Sequence, residues 1–180
     1  MKFNFKYLLS SLALTTLLLV SSEIIVSTMF PMVGLQFFRI SLSSIIILYL
    51  CFYFNNILIA PLIMYFEFVH GLFTVENWAI SSFAFLIVSV VISYLRDLIH
   101  LSIWPITFLY VQVFQLVLFG IESSLVYFKQ RNWNFFSSKA EYFIWESLMI
   151  SVLAPSLFLL LNKIWKEVNQ EKPGESSDVW

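Results

Sequence analysis

Four of the eleven acidic residues, Glu23, Glu67, Glu122 and Glu146, lie inside strongly apolar runs, and Glu67 is followed three residues later by His70. A carboxylate and an imidazole at that spacing share one face of a helix, so they can hydrogen-bond or hold a proton between them. The same Glu-x-x-His spacing occurs in carboxylate-bridged di-iron bundles, but such a centre needs a second copy of the motif and further facing carboxylates. The only other histidine, His100, has no Glu three residues before it. No metal site is expected. Catalytic patterns are missing too: there is no G-x-S-x-G elbow, no H-E-x-x-H pair, and only four glycines to build a phosphate loop. Both aspartates, Asp97 and Asp178, fall outside the apolar runs, as an aspartyl intramembrane protease would not allow. The expectation is a non-enzymatic protein with no cofactor.

Each buried acid, if charged and facing lipid, would cost on the order of 2.5–3.5 kcal/mol at a helix centre. Glu23 and Glu146 lie toward the ends of their runs, where an interfacial position is expected, whereas Glu67 is deeper. Gln112, Gln115 and Glu122 fall within a sector of roughly 80° on one helix, a polar stripe that should face other helices. Small residues recur at helical spacing as Ser11, Thr15 and Ser22, as Ser82, Ser89 and Ser93, and as Ser147, Ser151 and Ala154. Such positions let helix backbones approach closely in a membrane. Pro155, within the last apolar run, should kink that helix and free a backbone carbonyl.

The elements that position these residues follow from composition. Of 180 residues 60% are hydrophobic and only 12% charged, with a mean hydropathy of +0.87, so a water-soluble core could not hide the apolar side chains. The expected fold is all-α: a polytopic transmembrane helix bundle of about six spans over residues 1–162, followed by a polar, disordered tail over 163–180. The spans are expected near residues 7–28, 38–54, 61–73, 78–95, 104–128 and 142–161. Pro31 and Gly34 punctuate the first exit, Asn55-Asn56 makes a turn, and Arg39 sits at the mouth of the short second span. Lys2 and Lys6 before the first run resemble a signal peptide, yet no Ala-x-Ala pattern follows and the apolar character continues through Ile24, Ile25 and Val26, so a retained helix is expected. A lone cysteine, Cys51, excludes an internal disulfide, and the net charge of −1 offers no patch for nucleic acid.

With both termini on one side, Lys2, Lys6, Arg96, Lys163, Lys166 and Lys172 face Arg39, Lys129, Arg131 and Lys139 on the other. The excess favours cytoplasmic termini. Trp78, Trp104, Trp133, Trp145 and Trp165 all fall at expected span ends, where amphipathic rings settle in headgroups.

A family resemblance rests on short stretches within this pattern. Phe66-Glu67-Phe68-Val69-His70-Gly71 resembles the Leu-Asp-Leu-x-Ser-Gly stretch of the rod shape-determining MreD family, with Glu in place of Asp and His in place of Ser. Ile47-Leu48-Tyr49-Leu50 before a polar turn, and Ala154-Pro155 leading to Asn162-Lys163, are similar to that family's second and closing spans. The resemblance covers roughly residues 8–166. It implies a bacterial inner-membrane component of the lateral cell-wall elongation complex, similar in fold to the substrate-binding subunits of energy-coupling-factor vitamin transporters. The partners implied are an MreC-like membrane protein and, around it, MreB filaments, a RodA-type glycosyltransferase and a class B penicillin-binding protein. Two other readings stay open: a vitamin-binding transporter subunit using the Gln112, Gln115, Glu122 stripe, and a proton-coupled carrier using Glu67 and His70.

Overall fold

In an apolar solvent every backbone N–H and C=O must find a partner within the chain, and runs free of interior Gly and Pro meet that demand as helices. The computed structural model describes residues 5–32, 34, 41–54, 58–74, 78–95, 104–131 and 134–169. It contains six helices: α1 Phe5–Met32, α2 Leu42–Tyr53, α3 Ile59–Gly71, α4 Trp78–Leu95, α5 Trp104–Gln130 and α6 Asn134–Asn169. Four carry stretches long and apolar enough to cross a membrane: Lys6–Met32, Trp78–Leu95, Trp104–Lys129 and Tyr142–Lys166. The fold is thus an all-helical bundle of membrane type. Its outward faces fit that solvent, with Leu17, Ile24, Met29, Val113, Leu116, Met149 and Val152 all exposed.

The two remaining helices are short. At 1.5 Å per residue, the 12 residues of α2 and 13 of α3 reach about 18 and 20 Å, against a hydrocarbon core of about 30 Å. Yet α2 is the centre of the molecule. Every residue from Ser43 to Phe52 is buried, and the helix packs on α1, α3, α4 and α6. Phe52 also meets Phe114 of α5 edge-on, with ring centroids 5.5 Å apart. A helix that is apolar all round belongs in such a place. Ser41 caps its start, accepting from the Ser44 amide at 3.4 Å, and the Phe54 amide closes its end on the Leu50 carbonyl.

Helix ends depart from the apolar pattern in three places. α1 passes through Pro31 before it ends, with Gly34 in the left-handed region at φ 83° just beyond. α5 stops at Arg131, a non-glycine residue at φ 51° whose amide bonds the Tyr127 carbonyl at 2.7 Å, an arrangement that closes helices. α6 corrects the sequence reading at both ends, since it begins at Asn134 and continues through Pro155 to Asn169. Residues 163–169, expected in a disordered tail, are therefore helical. Burial is the cause: Leu161, Trp165 and Val168 recur at helical spacing between the lysines and pack on α1 and α2. The expected features Arg39, Asn55-Asn56, Arg96, Asp97, His100 and Trp133 lie outside the described residues.

The α3–α4 junction is tight. A Cβ built on Gly71 would lie 2.8 Å from the Trp78 Cβ, too close for either backbone to ignore. Replacing Gly71 with Ala should destabilise the bundle by about 1–3 kcal/mol through overpacking. Thermal unfolding of the purified protein would read this, and an unchanged midpoint would show that the junction is looser than described.

Candidate functional site

The buried face of α1 is a register of every fourth residue, Ser11, Thr15, Leu19 and Glu23. These positions drift slowly around the helix and so stay on one seam as it crosses its neighbours. At the lower end Ser11 Oγ donates to the Ile164 carbonyl at 2.8 Å, and Trp165 Nε1 donates to Thr15 Oγ1 at 2.9 Å. Thr15 is free to accept because its own proton goes to the Ser11 carbonyl. The next residue, Thr16, donates to the Leu12 carbonyl, so the 3.1 Å contact with Tyr65 has the tyrosine hydroxyl donating.

At the upper end Glu23 Oε1 meets His70 Nδ1 at 2.7 Å, joining α1 to α3. Both residues are buried, Glu23 at 5% exposure and His70 at 8%. Glu23 was expected at the interface, and this is a correction. The carboxylate instead turns inward because burial beside an imidazole supplies the partner that lipid would not. Glu67, one turn before His70 on α3, is also buried. Thus two carboxylates and one imidazole from two helices share the α1–α3 region. Within it a separated charge is costly, at several kcal/mol per ion after relaxation, so pairing holds the helices in register.

A second polar contact ties α5 to α6. Gln112 Nε2 donates to Ser147 Oγ at 3.0 Å while its Oε1 accepts from Ser151 Oγ at 2.8 Å. Ser147 passes its own proton to the Ile144 carbonyl, so the amide orientation and both serines agree. Ser147, Ser151 and Ala154 are all buried, as the sequence pattern predicts for a packing face. Farther along, Lys139 Nζ lies 3.5 Å from Glu122 Oε2, a half-exposed pair near the α5–α6 turn. Gln115 is buried on the same helix, Glu146 is half-buried on α6, and Pro155 is buried within α6.

The other small-residue stripes are less enclosed. Ser22, Ser89 and Ser93 bond carbonyls of their own helices, at Leu19, Leu86 and Val90. The buried face of α4 runs through Ser81, Ser82, Ala84, Phe85, Val88 and Ile92, with Ser89 half-buried at its edge and Ser93 exposed. Trp165 is a further correction. It was placed among headgroup rings, but it is fully buried, its ring edge-on to Phe54 with centroids 5.2 Å apart. Trp78, Trp104 and Trp145 do remain exposed.

Among the described residues no group of three or more His, Cys, Asp or Glu side chains is arranged to hold a metal ion. The arrangement defines a class: a membrane-type helix bundle with several polar side-chain pairs between helices. Comparison with family models, curated proteins and solved structures found no match for the chain.

Proposed function

We propose that this protein is a non-enzymatic scaffold of the bacterial inner membrane that helps maintain rod shape, acting through helix and loop contacts with an MreC-like partner. The observation carrying this reading is how its polar side chains are used. Glu23 with His70, Gln112 with Ser147 and Ser151, and Trp165 with Thr15 join helices to one another, as suits a rigid bundle that presents surfaces. The Phe66–Gly71 stretch behind the MreD resemblance supports the reading as well. Glu67 and His70 of that stretch are buried, and Gly71 allows the close approach of α4.

Six spans are part of the proposal, α2 and α3 among them, with both termini cytoplasmic and a fold similar to vitamin-transporter binding subunits. Assembly with MreB filaments, a RodA-type glycosyltransferase and a class B penicillin-binding protein would follow from it. Depletion should round rod-shaped cells and release the MreC-like partner from co-purification. Unchanged shape with unchanged association would sink the idea.

One observation favours a second reading, a substrate-binding subunit of a vitamin-type transporter. Among the described residues Gln115 Nε2 and the Tyr49 hydroxyl are buried with no hydrogen-bond partner, and a polar ligand would supply one. Thermal stabilisation by one member of a vitamin panel, with co-purifying ATPase subunits, would select this reading over the scaffold.

A further inference from the structure

We propose that the end of the bundle where α1 starts and α6 closes is a docking surface for anionic phospholipid headgroups, formed by Lys6, Lys163 and Lys166. Two contacts bring these lysines to one end. Ser11 Oγ donates to the Ile164 carbonyl and the Trp165 indole donates to Thr15 Oγ1, so α6 closes beside the start of α1. Lys163 and Lys166 flank those two residues of α6, and Lys6 precedes Ser11 by five residues, about 7.5 Å along the helix. All three lysines are exposed, while Trp165 is fully buried. Their depth matches a headgroup layer. The apolar stretches long enough to cross a membrane include Lys6–Met32 and Tyr142–Lys166, which begin and end at these lysines. Lysine stems lie along apolar helix surface while the ammonium groups reach phosphate. Tyr7 beside Lys6 is exposed at the same end, as is Tyr53, the neighbour of Phe54, whose ring meets Trp165. Amphipathic rings of this kind settle at headgroup level.

Charge decides the occupant. Among the described residues no acid answers these three lysines. At the other end of α6, by contrast, Lys139 lies 3.5 Å from Glu122, and Glu23 is engaged with His70. Glu67 is buried on α3, and Glu146 lies 17 residues before Lys163, about 26 Å along α6. Even counting Glu167, whose side chain lies outside the described ones, the lysines outnumber the acid three to one. A basic patch held at the bilayer surface attracts lipid of net negative charge, whereas a zwitterionic headgroup offers it none.

The surface belongs to the bundle under either functional reading, so its failure would leave both untouched. The test is lipid retention. The full chain is reconstituted in vesicles of phosphatidylcholine and phosphatidylglycerol with matched acyl chains, extracted in mild detergent, and the co-purifying lipids are quantified. The ratio of phosphatidylglycerol to phosphatidylcholine in the retained fraction should exceed that of the vesicle about tenfold. Lys6→Gln with Lys163→Gln and Lys166→Gln should return the ratio to that of the vesicle. Lys129→Gln with Arg131→Gln, at the opposite end, should leave the enrichment in place. Equal enrichment in the triple lysine variant, or its loss in the Lys129 and Arg131 variant, would overturn the proposal. Enrichment that appears only in Glu171→Gln with Glu175→Gln and Asp178→Asn would assign the lysines to the chain's own acidic end and overturn it equally. Should the triple lysine variant fail to fold, each single Lys→Gln change should lower the ratio about twofold. Three unchanged ratios would then refute the headgroup surface.

Discussion

Truncating Trp165 to Ala is expected to destabilise the bundle by on the order of 3 kcal/mol. The indole is fully buried, it stacks edge-on against Phe54 at the end of α2, and its N–H reaches Thr15 on α1, so one side chain closes three helices together. Between helices in lipid, transfer of apolar surface contributes little, and the loss comes from vacated packing and a broken interhelical hydrogen bond. For a chain of this size the unfolding midpoint should drop by roughly 6–12 °C. Trp165→Phe separates the two causes in part, because a six-membered ring remains while the N–H and the pyrrole half of the indole are lost. That change should cost about 1–2 kcal/mol, less than the truncation, since the Thr15 hydroxyl keeps its own bond to the Ser11 carbonyl. A Trp165→Ala protein as stable as the native one would mean that the end of α6 does not dock on α1.

Glu23→Ala is the other large effect, at about 3–5 kcal/mol, because it removes one member of a buried pair and leaves His70 facing the gap. Converting both partners to residues of matched shape without charge should cost much less. Glu23→Leu with His70→Phe is expected to recover most of the loss, since neither member of the pair is then left without the other. The measurement is a double-mutant cycle on thermal unfolding at one pH. If the two single losses simply add in the double variant, the side chains do not interact and the contact is not a feature of the protein in its membrane.

The contrast between Glu23 and Glu67 shows how far the site was legible. Glu67 and His70 share a helix, and their spacing alone placed them on one face. Glu23 lies 47 residues from His70 along the chain, and no local pattern carries a contact between different helices. One signal was available: Ser11, Thr15, Leu19 and Glu23 recur every fourth residue, a register that includes the acid, whereas the stripe drawn through Ser22 passes it by. On α5 and α6 the local patterns were sufficient. Gln112 and the pair Ser147 and Ser151 were each identifiable as inward-facing, and the structure places them within hydrogen-bonding distance.

The carboxylate and imidazole at Glu67 and His70 were marked by sequence because residue type and helical spacing are local properties. So were the membrane-type helices, α4 from Trp78 to Leu95 among them, since a long apolar run has few other ways to satisfy its backbone. Tertiary structure alone decided that His70 meets Glu23, that the short α2 lies at the centre, and that Trp165 is buried instead of resting at an interface. Those outcomes depend on how the helices tilt and rotate against one another. Packing among distant segments sets that geometry, and hydropathy along a single segment does not contain it.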